Sequence, residues 1–233
     1  MLAVSELTRR YGEETALADV SFELTSGELT VLVGRSGAGK TTLLRCIDGL
    51  ERADVGAITL DGTDLAPTDA ALVFQEGALI DSKSALSNVL DGSLGRVPAW
   101  RELLGWHPPP EKRAAIERLH DVGLGGYAER RVGDLSGGEK QRVGIARALQ
   151  QEPDVLLADE PVASLDPATG ASVLERLAEA VRERNLVGLV SLHQPRLAEA
   201  VADRYLGLAD GRLILDERAD AVTEANIAEV YDE

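Results

Sequence analysis

Hydrophobic positions change their period several times along this chain, and each change predicts an element. Near the N-terminus Leu2, Val4 and Leu7, then Ala18, Val20, Phe22 and Leu24, stand between polar residues. That alternation predicts antiparallel strands with Tyr11-Gly12 as the turn region. Leu29 to Val33 is an apolar run that reads as a buried strand. Ala57 to Leu60, followed by Asp61-Gly62, predicts another strand and turn, and Ala71 to Phe74 a short buried strand ending at Gln75. Over residues 83–122 the period becomes helical, with Ile116, Leu119 and Val122 expected on one face. A Pro-, Trp- and Gly-rich connector, Gly95 to Pro110, interrupts that stretch. Beyond it the pattern predicts a helix over 137–150, a strand Val155 to Ala158, a helix over 168–184 and a strand Leu186 to Leu192. Arg204 to Leu208 and Arg212 to Asp216, joined by Asp210-Gly211, predict a hairpin, and a short helix starts near Thr223.

Strands alternating with helices imply an α/β protein whose sheet is mainly parallel and covered on both faces. We expect one domain over 1–233, with an α/β core from 1–76 and 139–233. That core carries an N-terminal antiparallel β subdomain, and 77–138 forms a mainly helical insert. Internal repeats and low-complexity segments are absent from the sequence.

Composition narrows the class. No run approaches the roughly eighteen apolar residues needed to span a bilayer, and the N-terminus shows no secretion signal. The single cysteine, Cys46, excludes an internal disulfide and reads as a small core residue compatible with a reducing compartment. The formal charge is −16, and only four of the 24 basic residues are lysines. Such a surface repels nucleic acid and anionic lipid, so neither is an expected partner by general electrostatics. It also suits a protein adapted to high salt, where self-repulsion is screened.

The candidate chemistry centres on Gly34-Arg35-Ser36-Gly37-Ala38-Gly39-Lys40-Thr41-Thr42, which fits the phosphate-loop pattern G-x-x-x-x-G-K-[ST] after a predicted strand. The glycines let the backbone turn successive N–H groups inward as a nest for phosphate oxygens. Lys40 supplies a charge for the terminal phosphates, and Thr41 a hydroxyl for Mg²⁺. A helix starting near Lys40 would aim its positive dipole end at the same anion. A strand-to-helix turn that binds nothing has the same pattern. Asp159 and Glu160 end an apolar strand; beside a phosphate loop the first suits a Mg²⁺ site and the second a general base, while two solvated acids are the plainer reading. Leu135-Ser136-Gly137-Gly138-Glu139 opens the helix over 137–150. Ser136 and Glu139 fit a capping box, and the paired glycines suggest that something approaches the backbone closely.

Taken together, the phosphate loop, Gln75, Leu135 to Glu139, Val155 to Glu160, Ser164-Leu165-Asp166 and His193 stand in the order and spacing of an ABC-type ATPase, and the chain resembles that family along its whole length. The resemblance implies an ABC ATPase fold that binds ATP and Mg²⁺. Tyr11 then resembles the aromatic that stacks on adenine, although a strand-turn tyrosine looks the same. Gln75 resembles the residue that meets Mg²⁺ and the attacking water. Thr41, Gln75 and Asp159 become the metal-side set; Glu160, His193, Gln75 and Lys40 become the catalytic set, with His193 touching the γ-phosphate. Ser164 to Asp166 resembles the loop that crosses a dimer interface. Ser136, Gly137 and Gly138 would close on the ATP held by a second copy, so the resemblance implies a homodimer. His107 and His120 match no motif and are expected at the surface.

A finer resemblance rests on Val73-Phe74-Gln75-Glu76, Leu79-Ile80, Asn88-Val89-Leu90 and above all Gly95-Arg96-Val97-Pro98-Ala99-Trp100-Arg101. These are similar to the ATPase subunit of phosphonate importers. They imply transmembrane permease partners, an extracytoplasmic binding protein acting indirectly, and a position on the cytoplasmic face of the membrane, with Gln75 to Asn88 at the permease groove. Two departures stand out: Glu-Gly-Ala at 76–78, and Glu139 where that subfamily often has Gln. Another importer, an exporter, or a soluble assembly or repair ATPase of the same family remains the alternative.

Overall fold

The computed structural model describes residues 1–74, 78–96 and 107–232. Two sheets form its frame. The smaller is antiparallel, with β1 (Leu2–Tyr11) between β2 (Glu14–Leu24) and β4 (Val55–Leu60), and the two-residue β5 (Thr63–Asp64) at its edge. The larger has six strands. Its order is β10 (Arg212–Arg218), β9 (Arg204–Ala209), β3 (Leu29–Val33), β8 (Val187–Ser191), β7 (Val155–Asp159) and β6 (Ala70–Val73). All its pairings are parallel except the β9–β10 hairpin.

The continuous apolar strands serve two cores at once, as expected for a parallel sheet covered on both faces. Leu29, Val31 and Val33 of β3 face one cluster with helices α4 (Gly137–Gln150) and α5 (Pro167–Glu183). Leu32 faces the other cluster, with α1 (Lys40–Ile47) and the antiparallel sheet. Cys46 is buried there, and burial pushes its thiol up to about 11, so it is an inert core residue.

The insert holds α2 (Ala85–Leu90), a 3-10 turn (Asp91–Arg96) and α3 (Pro109–Asp121). One expectation fails here. Ile116 is 48% exposed, and the buried face of α3 is Ala115 and Leu119, continued by Val122 beyond its end. Counting back from Leu119, position i−4 rather than i−3 faces the core. Helix α4 packs on α2 and α3 as well as on β6 and α5, so it straddles the boundary drawn at residue 138. Gly92 shows how tight that seam is: a Cβ there would lie 2.2 Å from the Arg147 carbonyl. Most of the Gly95 to Arg101 segment lies outside the described residues, as do Gln75 and residues 76–77. The chain is closed by a 3-10 turn (Pro195–Ala198) and α6 (Glu224–Asp232).

Candidate functional site

The site is built where β3, β8 and β7 end side by side. Register places Asp159 opposite Ser191, and Leu32 is paired with Ser191 from the other side. Open α/β sheets present ligand sites at these carboxyl ends.

The loop after β3 leaves the sheet through Gly34, Gly37 and Gly39, all at positive φ. Two of them are forced by crowding as well. A Cβ on Gly34 would sit 2.4 Å from the Leu208 carbonyl oxygen, and one on Gly39 would sit 2.5 Å from that of Ala16. Gly39, at φ 100°, begins α1 with no side-chain cap and no acidic residue in the first turn. The first N–H groups of α1 are therefore left for an anion. Arg35, Ser36 and Gly37 are exposed, Ala38 is buried, and Thr41 and Thr42 are half-buried.

Lys40 is buried and donates from Nζ to the Gly34 and Arg35 carbonyls at 2.8 and 3.0 Å. Burial lowers its pKa, and the charges of Glu160 and Asp159 act against that shift. A lysine folded over its own loop, close to two carboxylates, suits an added polyanion that takes up its remaining donor.

Ser191 organises the two carboxylates, a role that sequence reading missed. It is fully buried, donates from Oγ to Asp159 Oδ1 at 2.7 Å, and accepts from the Glu160 N–H at 3.0 Å. Glu160 sits at φ 48°, a left-handed conformation that costs about 1–3 kcal/mol outside glycine. The turn aims its side chain back across the sheet end, where Oε1 lies 2.7 Å from His193 Nε2. The site signal in the sequence was the strand-end acids; nothing marked Ser191 apart from its place near the end of the predicted strand Leu186 to Leu192.

Ser136 caps α4. Its Oγ accepts from the Glu139 N–H at 3.3 Å, while Glu139 Oε2 accepts from the Ser136 N–H and Oγ at 2.8 Å each. The backbone hydrogen bond from Ser136 holds the Glu139 carboxyl below its ordinary range. The glycines resolve differently from one another. A Cβ on Gly138 would strike Thr169 Cγ2 at 2.3 Å, so that glycine serves packing against α5 within the same chain. Ser136 and Gly137 are exposed, and a Gly137 Cβ would meet only Leu165, at 3.1 Å. Asp166 caps α5 through the Thr169 N–H at 3.1 Å, and the Thr169 side chain, followed by that N–H, lowers its pKa.

Tyr11 ends β1 at 44% exposure, with the Arg9 guanidinium 4.7 Å from its ring centroid and its hydroxyl bonded to Glu51. His120 is exposed as expected, but His107 is half-buried. Pro108, the N-cap, and Pro109, the first helical residue, follow it directly at the start of α3.

Among the described residues no group of three or more His, Cys, Asp or Glu could hold a metal. The hydroxyl of Thr41 and the carboxylate of Asp159 do fit Mg²⁺, a hard cation that keeps several waters and shares substrate phosphates. An open cavity of about 760 Å³ lies beside His193 against α6 rather than over the phosphate loop. An anion held by backbone N–H groups on a helix start needs no enclosed pocket.

The sequence profile described as ABC transporter matches residues 17–163. The phosphonates import ATP-binding protein PhnC 1 of Natronomonas pharaonis is 74% identical over the whole of both chains. PhnC of Halobacterium salinarum is 44% identical, covering 99% of this chain and 83% of that one. Among solved structures, the dimeric structure of a bacterial ABC transporter cassette matches at TM-score 0.80 and 30% identity, covering 94% of this chain and 99% of that one. A nucleotide-free ATP-binding cassette matches at TM-score 0.85 and 24% identity, covering 99% and 94%, a likeness of fold alone.

Proposed function

We infer the function from one premise: the chain belongs to the ABC transporter family, as an ATP-hydrolysing cassette. Its cargo, by likeness to the phosphonate import proteins, is a phosphonate or a related phosphorus oxyanion. The observation that carries the mechanism is the meeting of Glu160 and His193 at the sheet end, beside the buried Lys40.

In this reading ATP lies on the phosphate loop from Gly34 to Thr42, with Tyr11 against the adenine. Lys40 Nζ neutralises the terminal phosphates, and the N–H groups at the start of α1 hold their oxygens. Thr41, Asp159 and Gln75 would hold Mg²⁺, which would supply positive charge to offset that of the phosphates. Glu160 takes a proton from a water as that water's oxygen bonds to the γ-phosphorus in line with the departing ADP oxygen. His193 orients Glu160 and donates to the γ-phosphate. Ser136, Gly137 and Gly138 act on the nucleotide of a second copy, and the exposure of Ser136 and Gly137 supports this. Asp166 borders that junction.

No described helix is long and apolar enough to cross a membrane, so transport requires separate permease subunits. We place their contact at Gln75 to Asn88, of which residues 78–88 border the α2–α4 face. A binding protein delivers cargo from the opposite side. The chain thus works as a homodimer held at the cytoplasmic face of the membrane by its permease.

Glu160→Gln tests the reading. The variant is expected to form ATP-bound dimers and to hydrolyse at least about a hundredfold more slowly. Full turnover in that variant would remove Glu160 as the base.

A further inference from the structure

Beyond the last sheet bond of the β8 exit, the Leu192 N–H to the Leu32 carbonyl at 3.0 Å, the chain turns away from the sheet. The His193 carbonyl there is taken by a residue from the far end of the sequence: the Tyr231 hydroxyl donates to it at 3.2 Å. The ring is half-buried, and burial raises the phenol's pKa, so the hydroxyl keeps its proton for that bond. One hydroxyl near the end of the sequence thus holds the main chain of the histidine that meets Glu160.

The phenol is held in place by packing. Val230 is buried, and it sits so close to β9 that a Cβ on Gly207 would lie 2.6 Å from Val230 Cγ2. Ile227, one turn earlier, packs on the main core. Helix α6 is thus seated on the sheet at the point that carries its tyrosine to the loops.

We propose that Tyr231 is a positioning residue for hydrolysis, its hydroxyl tying the His193 main chain to helix α6 so that the imidazole is delivered to Glu160. The bond to the main chain leaves both imidazole nitrogens to their own partners. A helix outside the phosphate-loop motifs becomes part of the site's support, and a displacement of α6 is transmitted to His193. This rests on the reading of Glu160 and His193 given above.

The test uses the full chain carrying Tyr231→Phe, which keeps the ring and removes the hydroxyl. The expected result is kcat lower by about tenfold, KM for ATP within about twofold, and Tm changed by no more than about 3 °C. Amide exchange at residues 193, 194, 196 and 197 should be faster than in the parent. Wild-type kcat and wild-type exchange in that variant would overturn the proposal. Ile227→Ala separates packing from the hydroxyl: a lowered Tm with kcat within about twofold of the parent supports the phenol's role. An equal fall of kcat in both variants overturns it, since α6 would then act by packing alone. Glu160→Gln run in parallel distinguishes the two readings. If it is inactive while Tyr231→Phe is fully active, only the tyrosine role is lost. If it is active, the site assignment fails and the tyrosine role with it.

Discussion

At the scale of single residues, the two carboxylates are held less by their own loop than by one hydroxyl. Ser191 Oγ uses its single proton on Asp159 and a lone pair on the Glu160 N–H. Ser191→Ala therefore leaves one half-buried carboxylate oxygen short of a partner and the Glu160 N–H with only its 3.2 Å bond to the Ser191 carbonyl. The lost carboxylate bond costs about 1–2 kcal/mol, and Glu160 also loses part of the support for its left-handed backbone. We expect Tm to fall by several degrees and kcat/KM for ATP by about ten- to a hundredfold. Steady-state hydrolysis alongside a melting curve would show it; unchanged kcat/KM would exclude a role for Ser191 in the site. The residues legible in sequence were those whose type announces chemistry in a fixed spacing, such as Lys40 and Glu160. Ser191 and Tyr231 were not, because a buried serine and a helical tyrosine acquire meaning only from neighbours 31 or 38 positions away.

At the scale of elements, periodicity located nearly every strand and helix but missed how they are fastened. Asn88 of α2 is an example. Fully buried, it accepts from the Ile80 N–H at 2.7 Å and donates to the Ile80 and Ser84 carbonyls at 3.1 and 3.0 Å. Arg147 of α4 donates to the Ala78 carbonyl at 2.7 Å, and Lys140 pairs with Asp81 at 3.0 Å. The segment proposed to meet the permease is thus tied to the helix whose start is proposed to meet the partner's ATP. Ile116 misled because a 3.6-residue period cannot by itself choose between faces on a helix as polar as α3. Across the seam, Asp48 ends α1 beside a groove lined by Pro67, Phe74, Asp91 and Arg147. Burial raises its carboxyl to about 7, above the ordinary value of 3.8. The folded form then holds the proton more tightly than the unfolded chain. Its contribution is complete below about pH 4 and is lost as pH rises through about 7. Asp48→Asn should accordingly gain stability over the parent between pH 4 and 7, reaching about 1–3 kcal/mol by pH 8 after allowance for partial exposure. A difference in Tm that is flat across that range would show that Asp48 is charged throughout.

At the scale of the whole molecule, the question is which electrostatic effect wins. The described ion pairs are mostly at the surface, like Lys83–Asp91 and the nearly fully exposed Arg196–Glu224, and such pairs are worth about 0–1 kcal/mol each. Salt weakens them. Against that stands a formal charge of −16 on 233 residues, whose mutual repulsion salt relieves. The repulsion acts among all the acidic groups, while each pair is local, so relief should prevail. Tm is expected to climb steeply as KCl rises toward about 1 M, where the Debye length falls to about 3 Å, and only slowly beyond. The proposed dimer sharpens the expectation, because closing it brings two such surfaces together with ATP, itself an anion. ATPase turnover should therefore fall away faster than Tm as salt is withdrawn, with folded but inactive chain at low KCl. Parallel melting and turnover series would show the two curves separating. A Tm that is level with KCl would mean that local pairs, not net charge, govern this fold.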